Sequence, residues 1–318
     1  MFSSRRQGGP RAAREPVLHG PHMRILFITA TRIGDAVLST GLLDHLLRTH
    51  PDARITIACG PAAEGVFARM PQRERTLVVD KRRFDLHWLQ LWRATVGTVW
   101  DLVVDLRGSA LSYLVPARCR AVLRGGRRPG HKLLHLAGAL GISPAPLPTS
   151  WTNDADRARA DALLPAGPLI GLGPTANWSG KVWPAERFVA LFHAVRDRAL
   201  PGARAVVFAG PGAAEAAMAA PVLAALADAV DLTGRLSLPE ASACLARCAL
   251  FVGNDSGLMH LAAAAGTPTL GLFGPTPASE YGPSGRRAAA VLAPGPAGSA
   301  PIEDLTVDAA AAACQALL

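Results

Sequence analysis

Residues 250–273 read LFVGNDSGLMHLAAAAGTPTLGLF, and this stretch decides the fold class. Two short apolar runs, Leu250–Val252 and Thr269–Phe273, flank an alanine-rich segment that is typical of a helix. The first run ends at Gly253, and Gly266 marks the turn before the second. A strand, a crossover helix and a second strand form the unit from which parallel sheets are built. The stretch therefore predicts an α/β protein.

The same alternation runs through the chain from Met23 onward. In the first half the pattern predicts the helix Asp35–Thr49 and four strands: Arg24–Thr31, Arg54–Cys59, Thr76–Val79 and Leu102–Leu106. In the second half it predicts strands Leu169–Leu172 and Ala205–Ala209 and, between them, helix Ala185–Arg198. We therefore expect two successive parallel-sheet domains, residues 23–150 and 151–303, joined by a linker near 144–165. Residues 1–22, which carry four arginines without hydrophobic periodicity, are predicted to be a disordered basic extension.

Composition limits the class of protein. Of the 318 residues, 50% are hydrophobic and 18% are charged, which excludes a largely disordered chain. The longest uncharged apolar window, Gly257–Pro275, is interrupted by His260, Gly266 and Pro268, so it does not predict a membrane span. The five cysteines are odd in number and scattered, which favours a reducing cytosol over a disulfide framework.

Charge is unevenly distributed along the chain. Residues 23–150 carry 18 Lys and Arg against 9 Asp and Glu, whereas residues 151–318 carry 11 against 14. A basic first domain favours an anionic partner, which could be nucleic acid, a phosphorylated lipid surface or an acidic sugar. An arginine-rich surface that only promotes solubility explains the charge equally well, so charge alone leaves the partner open.

Ligands of such sheets bind beyond the carboxyl ends of the strands, and the loop after the first strand carries Ile33-Gly34-Asp35. A carboxylate at this position would lie in the interdomain cleft, where it could accept a proton. The alternative is that Asp35 only caps the following helix.

Two further loops carry candidate chemistry. The loop 173–184 contains Thr175, Asn177 and Lys181 before a helix that Pro184 opens, which suits an anionic ligand; a solvated lysine is the alternative. In the quoted stretch, a helix begins near Ser256, so its free N–H groups and positive dipole end predict a diphosphate site. His260 lies about one turn further on the same face.

Asp154 and Asp156 form an Asp-x-Asp motif, which is found in metal sites. They follow Asn153 at an apparent helix start, where carboxylates complement the helix dipole. Capping is therefore the preferred interpretation, and no metal site is predicted.

Three elements in this order resemble glycosyltransferase family 9: Gly34-Asp35, Lys181-x-Trp183-Pro184, and the segment from Asp255 to Ala263. These are the ADP-heptose:lipopolysaccharide heptosyltransferases, which have the GT-B fold of two Rossmann-like domains. The resemblance covers residues 23–318. It departs from the family pattern at Gly41 (commonly Pro), Val182 (frequently Arg) and Ser256 (frequently Thr), and none of these changes removes a proposed catalytic group.

The resemblance implies a metal-independent, inverting transferase that uses ADP-heptose as donor and no other cofactor. Asp35 would be the general base, and Lys181 would balance the charge of the leaving group. The donor-binding residues implied are Thr175, Asn177, Lys181, Glu215, Asp255, Ser256, Gly257 and His260. Glu215 would meet the ribose hydroxyls, although a glutamate favoured by the helix dipole is an equal alternative. The final helix, within residues 304–318, would pack back onto the first domain.

A basic stretch of the first domain is the predicted acceptor site. It contains Arg118, Arg120, Arg124, Arg127, Arg128 and Lys132. Guanidinium groups pair with the carboxylates and phosphates that are abundant in the lipopolysaccharide inner core. The expected partner is an acidic glycolipid and not nucleic acid, and the expected location is the cytoplasm, with peripheral contact at the inner face of the membrane. A solvated surface loop far from the cleft is the competing interpretation.

Two alternative functions stay open at this point. One is a GT-B transferase or epimerase that uses another nucleotide sugar. The other is a protein that binds a nucleotide sugar without catalysis, in which Asp35 is only a cap.

Overall fold

A computed structural model describes residues 23–81, 83–126, 129–296 and 298–318. The extension predicted for residues 1–22 lies outside the described residues, as do Arg127 and Arg128 of the predicted acceptor site.

The first domain is built on a parallel sheet of five described strands: β1 (Arg24–Ile28), β2 (Arg54–Cys59), β3 (Arg73–Val78), β4 (Trp100–Asp105) and β5 (Ala117–Val122). The strands lie in the order β3-β2-β1-β4-β5. Four helices belong to this half in the described ranges: α1 (Ile33–Thr49), α2 (Leu86–Thr95), α3 (Leu111–Leu114) and α4 (Lys132–Ala139). Short 3-10 helices lie at Pro61–Phe67 and Arg83–Asp85.

The second half contains seven described helices: α5 (Asp154–Leu163), α6 (Ala185–Arg198), α7 (Ala213–Ala225), α8 (Leu238–Ala246), α9 (Gly257–Ala264), α10 (Ala278–Tyr281) and α11 (Val307–Leu317). Its parallel sheet has six described strands: β6 (Leu169–Gly173), β7 (Arg204–Val207), β8 (Val230–Asp231), β9 (Leu250–Asn254), β10 (Thr269–Phe273) and β11 (Ala288–Leu292). Their order is β11-β10-β9-β6-β7-β8. Short 3-10 helices lie at Ser179–Lys181 and Ile302–Asp304. The predicted α/β class with two parallel sheets is confirmed.

Both faces of the central strands of the first sheet are buried, as parallel strands require. Alternate residues of β1 point to opposite sides: Ile25 and Phe27 pack with α1, whereas Leu26 and Ile28 pack with Trp100 and the α2–α3 side. The core on the α1 side continues without a break through α8 and α9 into the second sheet. The two sheets therefore share one apolar core, which fixes the loops between them.

The predicted linker near 144–165 is partly wrong, because α5 lies within it and packs against α8. Asn153 caps this helix: its side chain accepts a hydrogen bond from the Asp156 N–H, and the Asp156 carboxylate accepts one from the Asn153 N–H. Arg69 of the first domain also donates to Asp156, and this hydrogen bond holds the pKa of the carboxyl below its usual value. The capping interpretation of the Asp154/Asp156 motif is confirmed.

The predicted packing of the C-terminal helix is wrong. Helix α11 packs against α6, β10 and β11 of the second domain, where its small residues Ala310 and Cys314 are buried. The segment before it is tied to the same domain, because the indole N–H of Trp183 donates to the Leu305 carbonyl at 2.9 Å. These contacts hold α11 on the second domain and not on the first.

Gly41 explains one departure from the family pattern. A Cβ built at this position would lie 2.4 Å from the carbonyl oxygen of Pro146 and 2.7 Å from that of Leu147. The chain between the two domains therefore runs directly against the middle of α1, and only a residue without a side chain leaves room for it.

We expect Gly41→Ala to destabilise the protein by about 1–3 kcal/mol, because backbone atoms must move to admit the methyl group. Chemical denaturation measures this loss. The matched control is Gly138→Ala in α4, where a Cβ meets no other atom within 4 Å. That variant should be neutral or more stable by up to about 1 kcal/mol. Equal stabilities of the two variants would contradict the close packing at Gly41.

Candidate active site

The amino ends of α1 and α9 meet between the two domains. A Cβ on Gly34 would lie 2.8 Å from Cδ2 of His260, and one on Gly257 would lie 3.0 Å from Cβ of Ile33. Both separations are shorter than side-chain packing normally allows, so two glycines permit this approach. The first and third sequence motifs are thereby brought into direct contact, and Asp35 faces the second domain.

A cleft of about 630 Å³ opens at this junction. Most of the residues predicted for catalysis and donor binding line it: Asp35, Asn177, Lys181, Glu215, Asp255, Ser256, Gly257 and His260. Lys132, predicted for the acceptor, lines it too. The cleft lies beyond the carboxyl ends of β1, β6 and β9, where parallel sheets bind their ligands.

Asp35 forms an ion pair across the mouth of the cleft. It lies in the first turn of α1, and its carboxylate oxygen Oδ1 is 2.5 Å from Nζ of Lys132, the first residue of α4. The two side chains are 27% and 32% exposed, so a molecule that enters the cleft can reach both. The preceding residue, His131, ties α4 to the second domain through a 2.9 Å contact between Nε2 and the Gly282 carbonyl.

A second ion pair lies deeper, within the second domain. Nζ of Lys181 is 2.5 Å from Oδ2 of Asp255, and the hydroxyl of Thr276 donates to the same oxygen at 2.9 Å. Lys181 and Asp255 are only 14% and 9% exposed. The cation is therefore held at a fixed place beside the amino end of α9.

The amino end of α9 presents unpaired polar groups. Ser256 is the residue before the helix, and its Oγ is buried without a hydrogen-bond partner among the described atoms. The same holds for Nδ1 of His260, one turn further. Together with the first N–H groups of the helix, these atoms can bind the oxygens of an anionic ligand.

Burial controls the charge of His260. The side chain is almost fully buried, which lowers its pKa to about 4, although the nearby carboxylates of Asp255 and Asp35 oppose this effect. The ring is therefore neutral at pH 7 and offers one N–H donor and one acceptor nitrogen.

Glu215 lines the cleft from the start of α7, and its Oε2 accepts a hydrogen bond from the Gly210 N–H at 3.1 Å. Thr175, by contrast, is buried and is not among the residues lining the cleft, so the structure does not support the direct donor contact predicted for it.

Most of the predicted acceptor residues lie elsewhere. Arg118 pairs with Asp101 at 3.1 Å, and Arg120 donates to the carbonyls of Ser112, Val115 and Ala117. Neither these arginines nor Arg124 lines the cleft in the described part of the chain. Of the described members of the predicted group, only Lys132 reaches it.

Four further residues line the cleft without having been predicted from the sequence: Arg32, Trp178, Thr276 and Tyr281. A signal for Thr276 was present, because a Gly-Pro-Thr tripeptide stands at the carboxyl end of both β6 and β10. No comparable pattern marks the other three.

Two negative observations concern the described residues. No three or more His, Cys, Asp or Glu side chains are grouped there so as to hold a metal ion. Among the described helices, none has both the length and the apolar character needed to cross a bilayer.

Comparison with known proteins gives the family. A model described as glycosyltransferase family 9 (heptosyltransferase) matches residues 128–301. Lipopolysaccharide heptosyltransferase 1 of Pseudomonas aeruginosa is 34% identical over 302 residues, which cover 83% of this chain and 82% of the relative. Lipooligosaccharide heptosyltransferase 2 of Haemophilus influenzae is 25% identical over 295 residues, covering 80% and 84%.

The architecture agrees with this relationship. The structure of the E. coli ADP-heptose lipopolysaccharide heptosyltransferase II has a TM-score of 0.74 at 22% identity, and the match covers 93% of this chain and 98% of that chain. The two facing parallel-sheet domains are the GT-B fold. The chain belongs to glycosyltransferase family 9 and is a glycosyltransferase.

The neutral, buried His260 predicts a pH dependence of stability. Its folded-state pKa of about 4 lies below the ordinary value of 6.5, so the unfolded chain binds the proton more readily. The histidine should therefore cause the free energy of unfolding to fall between pH 6.5 and 4, by at most about 1.4 kcal/mol per pH unit. Above pH 6.5 it adds no pH dependence.

Denaturation of the wild type and His260→Gln at pH 7.5 and 4.5 tests this. The stability of the wild type relative to the variant should decrease at the lower pH. His135→Gln, at a half-buried position in α4, is the control for the exchange itself. The burial effect would be contradicted if the wild type and His260→Gln differed in free energy of unfolding by the same amount at both pH values.

Proposed function

We propose that this protein transfers heptose from ADP-heptose to a lipopolysaccharide inner-core acceptor, with inversion at the anomeric carbon and Asp35 as the general base. One observation carries the proposal: Asp35 from the first domain faces the amino end of α9 and Lys181 from the second within a single cleft. The names of the family and of its relatives supply the sugar and the acceptor class.

The second domain is suited to hold the nucleotide diphosphate. The positive end of α9, the free hydroxyl of Ser256 and the neutral ring of His260 converge on one place. The Lys181 ammonium lies next to it and donates to the Asp255 carboxylate, which also accepts a hydrogen bond from Thr276. As the bond to the sugar breaks, negative charge develops on the departing diphosphate, and these donors stabilise it without having to reorganise.

The remaining polar groups of the second domain suit the nucleoside. Glu215 and Asn177 line the same cleft, and the carboxylate of Glu215 can accept hydrogen bonds from ribose hydroxyls. Trp178, which is 49% exposed, offers an aromatic surface at its edge.

The first domain supplies the base. The acceptor hydroxyl would approach the anomeric carbon from the Asp35 side, opposite the diphosphate, and give its proton to the carboxylate as the new bond forms. Attack from the opposite face inverts the configuration. Lys132 holds the carboxylate in position, and with Arg32 it presents positive charge to an acidic acceptor. This assignment replaces Arg118 and Arg120, whose guanidinium groups are engaged elsewhere.

The cation of Lys181 and the helix dipole provide the charge stabilisation that a metal ion provides in other transferases, so we propose metal-independent transfer. Because the proposed acceptor is a glycolipid, we propose that the reaction takes place at the cytoplasmic side of the inner membrane. We propose no role for nucleic acid.

Asp35→Asn tests the base. We expect kcat to fall by on the order of 100-fold or more with nearly unchanged affinity for ADP, because the amide cannot accept the proton. Asp44→Asn, on the same helix and ion-paired with Arg48 at the surface, is the matched control and should retain its turnover. Near-wild-type turnover of Asp35→Asn would remove this residue from the mechanism.

Lys181→Ala tests the donor site. We expect ADP to bind at least about 10-fold more weakly by calorimetry, because the variant loses a charge-assisted contact to the ligand and leaves Asp255 buried without its cation. Lys81→Ala, at an exposed position, is the control, and this variant should bind ADP as the wild type does.

The wild type should also retain full activity in EDTA. A strict requirement for added Mg²⁺ or Mn²⁺, or unchanged ADP binding by Lys181→Ala, would contradict the proposed charge stabilisation.

A further inference from the structure

Exposed apolar side chains are concentrated on one face of the first domain. Two exposed leucines, Leu89 (41% exposed) and Leu114 (63%), line a groove between α2 and α3. Three further exposed apolar residues belong to the same two segments of the chain: Phe84, Leu86 and Tyr113. The groove has a volume of about 570 Å³, and Trp88, Trp92 and Leu111 form much of its wall. An apolar patch of this kind on a soluble domain marks an interaction surface.

The groove is a built feature that is held open by hydrogen bonds. The indole N–H of Trp92 donates to the Leu114 carbonyl at 3.1 Å, which fixes α3 beside α2. Arg120 donates to the carbonyls of Ser112 at 2.7 Å and Val115 at 2.8 Å, which secures the other side of α3. These bonds fix the backbone of α3 beside α2, and Leu114 remains 63% exposed at the groove.

The backbone also directs one ring outward. Phe84 has a φ of 55°, a left-handed conformation that a bulky residue rarely adopts, and its side chain is 88% exposed. Such a conformation persists only where its surroundings impose it, and here it presents an aromatic ring to the solvent.

Positive charge lies directly beside the aromatic rings. The guanidinium carbon of Arg83 is 5.7 Å from the centre of the Phe84 ring, and that of Arg107 is 5.1 Å from the Trp88 ring. Aromatic residues next to arginines are typical of the boundary between lipid headgroups and acyl chains, where rings enter the apolar layer and the guanidinium groups meet phosphates.

The groove opens at the same edge of the sheet as the active-site cleft. Arg107 and Ser109 follow the carboxyl end of β4, and the neighbouring strand β1 leads into Thr31–Asp35, which lines the cleft. A surface bound at the groove would therefore lie beside the acceptor side of the cleft.

We propose that this groove docks the protein onto an anionic phospholipid bilayer, with the exposed Leu89 and Leu114 entering the headgroup boundary beside the half-buried Trp88 and Trp92. The inference deepens the proposed function, since a lipid-linked acceptor must be taken from such a surface. Charge complementarity favours a bilayer over a second copy of the chain, because a two-fold contact through this face would bring the arginines of both copies together.

Vesicle binding by the full chain tests the proposal. Wild-type protein should bind phosphatidylglycerol–phosphatidylcholine vesicles more tightly than pure phosphatidylcholine vesicles, with a blue shift of tryptophan emission. Raising the salt to 1 M should weaken the binding, because charges are then screened over about 3 Å. Leu89→Ser/Leu114→Ser should reduce the partition coefficient at least 10-fold, with ADP affinity and melting temperature unchanged.

Two charge-matched pairs of substitutions show whether vesicle binding depends on this face. Leu89→Glu/Leu114→Glu should lose vesicle binding, whereas Leu292→Glu/Leu318→Glu, at exposed positions of the second domain, should retain most of it. Residues 1–22 are present in every variant, so their arginines cannot cause the difference.

Several results would overturn the proposal. They are equal partitioning of the wild type and the serine variant, loss of binding in both glutamate pairs, or absence of vesicle binding by the wild type. ADP-sugar turnover is measured separately. Vesicle binding without turnover would refute the proposed function and leave the docking face intact.

Discussion

The close approach of α1 and α9 is the constraint on which the site depends. Gly34 and Gly257 lie where the two helices begin, and a methyl group at either position would meet the opposite helix at 2.8–3.0 Å. The shared apolar core beneath them holds the sheets in this relation. As a result, one helix presents a carboxylate and the other presents its positive end to the same cleft, which neither domain could form alone.

Charge in the cleft is arranged in two layers. The inner pair, Lys181 and Asp255, is largely shielded from solvent, so the carboxylate holds the cation at one place. The outer pair, Asp35 and Lys132, is about one-third exposed and can exchange its partner for substrate groups. A neutral His260 between them adds hydrogen-bonding capacity without adding another positive charge. This division suits a reaction in which the diphosphate stays bound on one side while a proton is transferred on the other.

Much of the fold, and most of the residues that line the cleft from the second domain, could be predicted from the sequence, because buried parallel strands and helix-start loops leave strong local signals. Strand Thr269–Phe273 and helix Ala185–Arg198 begin and end as predicted. The edge strands β5 and β11 were missed, since an edge strand is half exposed and one of these is rich in arginine and the other in alanine. Arg118 and Arg120 were expected at the cleft and lie elsewhere. Arg118 pairs with Asp101, and Arg120 donates to nearby carbonyls such as that of Val115; sequence spacing alone does not show which partner a long side chain takes. The packing of α11 was wrong for a related reason: its anchor, the carbonyl of Leu305, pairs with Trp183 more than a hundred residues away.

The central claim is that one cleft holds the donor on the second domain with its reactive carbon turned toward Asp35 on the first. A crystal structure of the protein with ADP-heptose, or with an analogue that cannot be transferred, measures this directly. The account predicts the diphosphate at Ser256 and Gly257 beside Lys181, with the anomeric carbon facing Asp35 and a space between them large enough for a hydroxyl group. A diphosphate bound away from the start of α9, or a sugar directed away from Asp35, would contradict it.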